Sequence, residues 1–411
     1  MDRGRQGWCR HFTRGEFHVR VSAVLVSLAV VAGVGQPVAA AQLPSPNTCA
    51  GNDTSCVHAW GMGGNGALGD GKAQSRLYPE PVPNLPGITG IGGGLSAEIV
   101  AVHADGTVFA WGSAGLVMPG GQQRNTPLQV PALSNIIEVE AGYKNALALK
   151  SDGTVWSWGD GSRGQIGDGQ EYGEGGTNVP QQVVGLTGVV DIASGDSNGY
   201  ALKSDGTVWA WGENKRSQLG NGVVCQDCYS NVPVQVAGLT GVRSVSEDGF
   251  ALKVDGTVWT WGANASGMLG IGEPSSTFRA ASPIQVSTLS DVVEINGCGQ
   301  NRYTRKSDGT VWSWGPNNSG QIGNGTLYGF QRAPAQVSIS DARGLGCGEA
   351  YNGYAITADG SLWSWGSNIY GQLGVATSDP RSTVPVKISG LSGVSKVSGH
   401  YFGALALVPA P

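Results

Sequence analysis

From residue 42 to the C-terminus, apolar and polar positions alternate in short runs, and no segment sustains a helical period. Alternation of this kind places successive side chains on opposite faces of a strand, so the chain reads as all-β. One phrase recurs, as ALKSDGTVWSWGDGSRGQIGDG (148–169), ALKSDGTVWAWGENKRSQLGNG (201–222) and ALKVDGTVWTWGANASGMLGIG (251–272). A Trp-Gly pair marks its register at Trp60, Trp111, Trp158, Trp211, Trp261, Trp314 and Trp365, with spacings of 51, 47, 53, 50, 53 and 51 residues. Seven units of about 51 residues therefore account for residues 42–411.

Each unit predicts four strands. The first resembles Val189–Ser194 and the second residues 199–203; an Asp-Gly turn and the Trp strand follow. A Gly-rich loop and a variable stretch then lead to a fourth strand beside a Pro, as in VPVQV (232–236). The Asp-Gly pairs at Asp105, Asp152, Asp205, Asp255, Asp308 and Asp359 suggest two-residue hairpin turns with both central φ values positive. In the Trp strand, Trp312 and Trp314 share one face while Val311, Ser313 and Gly315 share the other. The large face of one unit should seat on the small face of the next, which makes the Trp residues core. Each one buried removes roughly 150–250 Å² from water.

The two ends are incomplete in complementary ways. The first Trp strand has no strand pair before it, and the chain finishes with first and second strands at 394–398 and 404–408 but no third. Together they make one unit. The expected architecture is a closed seven-bladed β-propeller of four-stranded blades, with the closing blade shared by N- and C-terminal strands.

Composition changes the picture at the N-terminus. Residues 1–20 carry five Arg against Asp2 and Glu16, 21–34 is an uncharged and mostly apolar run, and Ala39-Ala40-Ala41 follows. That order is the one of a secretory signal peptide over 1–41, with cleavage expected near Ala41–Gln42. The 14-residue apolar run is short for a bilayer span of about 20, and no later segment is apolar enough to be one. The chain carries 25 basic and 30 acidic residues, and the leader removes five and two of them, leaving 20 and 28, a net charge of −8. A nucleic-acid partner needs a cationic surface and is therefore excluded.

Chemistry is sparse. His58, His103 and His400 fall in different repeats, and no metalloprotease, nucleophile-elbow or phosphate-loop motif occurs. Asp160 and Asp168 lie in a Gly-rich loop without the alternating oxygen ligands of a calcium site, so they read as turn residues, and no metal or cofactor is expected. Six Cys follow the leader: Cys49, Cys56, Cys225, Cys228, Cys298 and Cys347. An even number in an exported chain favours disulfides. Cys49 and Cys56 flank the start of the closing strand, Cys225 and Cys228 form a local staple, and Cys298 and Cys347 hold matching positions in consecutive blades.

The pattern L-K-x-D-G-x-V-W-x-W-G-x-N-x-x-G-Q-L-G-x-G, seen as Trp314-Gly315-Pro316-Asn317-Asn318-Ser319-Gly320-Gln321-Ile322-Gly323-Asn324-Gly325, resembles the repeat of the regulator of chromosome condensation family over roughly 55–411. The resemblance implies a seven-bladed propeller with a split closing blade. Repeat two departs in its loop at 115–120, and repeat five shortens the link between its first two strands at 246–249. The family's founding member is a nuclear guanine-nucleotide exchange factor, a role at odds with an export leader. The A-G-x-x-x-x-L-A-L-K and V-x-A-W-G stretches also resemble secreted bacterial β-lactamase-inhibitory propellers, which lack the long G-Q-L-G-x-G segment. In those proteins the resemblance places target-binding aromatics on the loops between first and second strands.

Those loops carry the partner-binding candidates here: Tyr143, Lys144, Asn301, Arg302, Tyr351, His400, Tyr401 and Phe402. Tyr and Arg are frequent interface anchors. A second variable set, which includes Tyr172, Tyr229, Phe278, Arg279, Tyr328 and Phe330, follows the Trp strands. The expected function is a secreted, monomeric, non-catalytic propeller that binds a protein partner through loops at one mouth. The alternatives are a β-lactamase inhibitor, a cell-wall or carbohydrate-binding module, and, disfavoured by the leader, an exchange factor.

Overall fold

A computed structural model describes residues 55–115, 117–272, 278–348 and 351–409. The expected leader, its expected cleavage point and Cys49 lie outside the described residues. The described chain forms seven antiparallel sheets of four strands. Six are consecutive in sequence, spanning 88–129, 136–182, 189–235, 242–285, 292–336 and 342–387, and are called blades two to seven. The remaining sheet joins the two ends in the order Arg76–Pro81, Ser55–Gly61, Gly403–Pro409, Lys396–His400. Its seam pairs seven residues on each side, from Ser55 with Pro409 to Gly61 with Gly403. This is the split closing blade.

The Trp of each Trp-Gly pair locks its blade to the preceding one. All seven are buried, and each Nε1 donates to a carbonyl in the preceding blade's Gly-rich loop. The bonds are Trp111 to Ala67 (2.9 Å), Trp158 to Val117 (3.1 Å), Trp211 to Gln165 (2.8 Å) and Trp261 to Gln218 (2.8 Å). Trp314 to Met268 (2.8 Å), Trp365 to Gln321 (2.9 Å) and Trp60 to Gln372 (2.9 Å) complete the circle. The last bond runs from the N-terminal strand to blade seven, so the closing blade is fixed by the same device as the others. The loop must pass close over the ring: a Cβ on Gly323, whose φ is +73°, would lie 2.8 Å from Trp365 Cδ1. Tyr200, Tyr303 and Tyr354 add edge-on contacts to the next blade's Trp at centroid distances of 6.2, 6.0 and 6.2 Å.

Two local expectations are corrected. The first Trp of each pair is not core. Trp312 shares a face with Trp314 but lies nearer the hairpin end of the blade, where its half-buried ring lies under Lys306 at 5.2 Å and its Nε1 donates to Thr310 Oγ1 at 3.2 Å. The Asp-Gly turns are also different. Only the Gly has positive φ, as in Gly106 at 81°, and the turn closes with Gly106 N donating to His103 O (2.9 Å) and His103 N to Thr107 O (2.9 Å). This is a three-residue loop with a glycine bulge. Asp105 keeps negative φ, and its carboxylate accepts from both N and Oγ1 of Thr107, at 2.9 and 2.7 Å.

The inner strands line an axial channel. Carboxylates of the first strands accept backbone N–H groups of the next blade: Asp191, on the channel wall, from Val245 (2.9 Å) and Glu294 from Leu345 (2.9 Å). Cys298 and Cys347 sit at disulfide distance across blades six and seven, with Cα atoms 5.8 Å apart, and Cys225 and Cys228 at 6.0 Å. Among the described residues no helix is long and apolar enough to cross a membrane.

Candidate functional site: the loop-bearing mouth

In an antiparallel blade, the link from first to second strand and the link from third to fourth leave on the same side. The Asp-Gly hairpins lie on the other. Both variable loop sets therefore share one mouth of the ring.

The repeat motif fixes the outer loops and leaves two positions free. In blade seven, Asn368 Oδ1 accepts from Leu373 N (3.1 Å) and Gln372 Oε1 from Tyr370 N (2.8 Å). The same pair of bonds recurs in blade four from Asn214 to Leu219 N (3.1 Å) and Gln218 to Arg216 N (2.7 Å), and in blade six from Asn317 and Gln321. The side chains of the two residues after the Asn take no part in these bonds. They are Asn318-Ser319 in blade six, Lys215-Arg216 in blade four and Ile369-Tyr370 in blade seven.

The eight expected contact residues divide. Tyr143, Lys144, Tyr351 and Tyr401 are exposed and Phe402 is half-buried. Asn301, Arg302 and His400 lie inside, which removes them from the contact surface. Asn301 Nδ2 donates to Trp314 O (3.3 Å) and Pro316 O (2.9 Å), capping the end of the Trp strand. Arg302, 1% exposed, reaches back to the shortened link of blade five, donating to Asp248 O at 3.2 Å and lying over the Phe250 ring at 5.7 Å. It fills the space that link leaves. His400 is buried, and burial pulls its imidazole down to about 3.

Two regions stand out on the mouth. One is aromatic: Phe402 stacks with Tyr401 at a centroid distance of 4.1 Å and with Tyr370 at 4.6 Å. Exposed Tyr351 and Ile369 both belong to blade seven. Ile369 and Tyr370 escape a reading that looks only at the inner loops. Comparing the free pair from repeat to repeat would have shown them, since the pairs Ser162-Arg163, Lys215-Arg216, Ala265-Ser266 and Asn318-Ser319 are polar or small.

The other region is a charged cavity of about 350 Å³ lined by Tyr143, Asp196, Glu213, Lys215, Arg216 and Asp248, among others. Lys215 Nζ meets Glu213 Oε1 at 2.6 Å. Burial pushes the Asp196 and Asp248 carboxyls up, and the Arg216 and Arg302 guanidinium groups pull in the opposite direction. Neighbouring repeats supply these groups about 50 residues apart, so no local motif announces them.

Among the described residues no nucleophile–base pair emerges. His58 and His400, assigned to different repeats from sequence, share the closing blade because that blade is split. Burial pulls His58 down to about 4. His103 in blade two faces the hairpin Asp105 at 2.8 Å. Asp160 and Asp168 make turns, accepting from Ser162 N (2.8 Å) and Gln170 N (3.0 Å). Among the described residues no group of three His, Cys, Asp or Glu is placed to hold a metal ion.

Comparison with known proteins agrees with this geometry. Residues 45–352 match the RCC1-like domain and 359–407 the regulator of chromosome condensation (RCC1) repeat. The ultraviolet-B receptor UVR8 of Arabidopsis thaliana is 28% identical over 367 residues, covering 86% of this chain and 82% of the receptor. The E3 ubiquitin-protein ligase HERC2 of Mus musculus is 31% identical over 172 residues, 39% of this chain but only 4% of the ligase, so the likeness concerns a small part of that protein. Among solved structures, human WBSCR16 superposes with a TM-score of 0.75 at 20% identity over 86% of this chain and 98% of its own. Prp20p of Saccharomyces cerevisiae gives 0.72 at 20% identity over 87% and 92%. With the repeat motif, the split closing blade and a domain match over most of its length, the chain belongs to the RCC1-like family of β-propellers.

Proposed function

We propose that this propeller is exported and non-catalytic, and that it binds a protein partner through the aromatic side of its loop-bearing mouth. The observation that carries the reading is the cluster of Tyr370, Tyr401 and Phe402, with exposed Tyr351 and Ile369 on loops of the same mouth, the loop of Ile369 and Tyr370 being fixed by Asn368 and Gln372. Exposed aromatics on a pre-organised surface bury area at little entropic cost. Export rests on the basic–apolar–small order of residues 1–41. Solved propellers of this fold include one described for binding to Gsp1p and histones and one bound to Kap60, which supports a protein as the class of partner.

The test is affinity capture from culture medium with the mature chain and with a Tyr351→Ala, Tyr401→Ala, Phe402→Ala variant that retains its melting temperature. The reading expects a defined protein that the native chain retains and the variant loses. Equal retention by both overturns the assignment of the site.

A further inference from the structure

Blade two breaks the pattern of the second strand at one residue. Asn198, Asn301 and Asn352 stand opposite the Gly of the Trp-Gly pair, and each donates from Nδ2 to two carbonyls of its Trp strand. In blade two the residue opposite Gly112 is Glu98. An ionised carboxylate has no proton to give and cannot make that cap. The loop that follows has lost the Asn-x-x-Gly motif and contains a short 3-10 turn, Pro119–Gly121, in its place.

Glu98 has a different setting. It is 1% exposed, and no protein group hydrogen-bonds its Oε2. A buried carboxylate that keeps one oxygen without a hydrogen bond is costly and calls for a compensating charge. It lines a cavity of about 500 Å³ on the mouth between blades two and three, with Ser96, Ser113, Lys144, Asp160 and Glu174 also on the wall. The charged lining is thus three carboxyl groups against one ammonium. Lys144 Nζ lies over the Tyr143 ring at 5.0 Å. Burial pushes the Glu98 carboxyl up to about 7, with Lys144 opposing.

We propose that this cavity binds an alkylammonium or guanidinium group, with the Glu98 carboxylate as its buried anchor and Asp160 and Glu174 at its rim. The hydroxyls of Ser96 and Ser113 supply further acceptors for N–H donors. The site is separate from the aromatic side of the mouth and stands whether or not a partner docks there. The cation can arrive free or as a Lys or Arg side chain, since the recognised group is the same.

The test measures binding by titration calorimetry with n-butylammonium, ethylguanidinium and a capped Gly-Arg-Gly peptide. The comparison is between the native chain and Glu98→Asn. That variant installs the residue used by three other blades, so it should fold, and its melting temperature checks this. Glu98→Gln serves as a second variant of equal size. The proposal expects saturable binding of at least one probe, weakened at least about tenfold in both variants, and weaker binding at about pH 5 than at about pH 8 as Glu98 takes up a proton. Binding of the free cations identifies a small-molecule site; binding of the peptide alone identifies a basic side chain as the ligand. No binding of any probe at about pH 8, or binding that Glu98→Asn and Glu98→Gln leave unchanged, overturns it.

Discussion

Blades four and seven use the same loop motif and display different residues from it. In both, an Asn and a Gln fix the loop through backbone N–H groups. Blade four presents Lys215-Arg216 to a cavity already crowded with Glu213, Asp196 and Asp248, and the charges there answer one another. Blade seven presents Ile369-Tyr370, whose aromatic ring meets half-buried Phe402 of the closing blade, which in turn lies beside exposed Tyr401. A shared scaffold can thus commit one display pair to holding the mouth together and leave the other available for a partner. The difference lies in what stands next door. Blade five's shortened link draws in Arg302, and buried Arg302 brings the carboxylates of its neighbours into balance.

Removing that balance should have the largest effect. Arg302→Ala leaves Asp248 and Asp196 without their buried counter-charge and opens a void against Phe250, so urea denaturation should show a loss of about 3–5 kcal/mol. A loss below about 1 kcal/mol would break the comparison, because the charged side would then be as dispensable as the aromatic one.

Ile369→Ser with Tyr370→Ser should do the reverse. Stability should change by less than about 1 kcal/mol, while affinity for a captured partner falls about thirtyfold or more, as for hot-spot aromatics. A stability loss matching that of Arg302→Ala would show that the aromatic cluster is structural.

Asp248→Asn should have a smaller, pH-dependent effect. Burial raises the Asp248 carboxyl above its ordinary value. A raised pKa means the folded state holds the proton longer than the unfolded state does. Its contribution is therefore full below the usual carboxylate range and is lost as pH rises through the raised value. The melting temperature of the native chain should then include a fall between about pH 5 and about pH 8 that Asp248→Asn reduces; equal falls in the two proteins would contradict it. Lys215→Ala is expected to change the least. Its ammonium is exposed, so both stability and partner binding should stay within about 0.5 kcal/mol.

Much of the ring is legible in the chain because its period is covalent. Seven Trp-Gly pairs at near-constant spacing require seven equivalent blades, and the two unfinished ends require a split one. The mouth is less legible because its determinants act between repeats. Arg302 aligns with inner-loop residues and reads as an anchor, yet it is buried by a shortening in the blade before it. Asn301 looks like a variable-loop residue but caps the strand beside it. The half-buried position of Trp312 and the bulged form of the Asp-Gly turn depend on which end of the strand meets solvent and which group the Asp carboxylate accepts, and alternation alone records neither. Ile369 and Tyr370 were legible in principle, since the corresponding pairs of blades three to six are polar or small.

The central claim is that one mouth, and its aromatic side in particular, takes the partner. Hydrogen exchange of the mature chain with and without its captured partner tests it most directly. Protection should rise at residues 351–354, 368–371 and 400–403 and remain unchanged at the Asp-Gly hairpins around Asp205, Asp255 and Asp308 on the opposite side. Protection concentrated at those hairpins, with the blade-seven and closing-blade loops unaffected, would contradict the account.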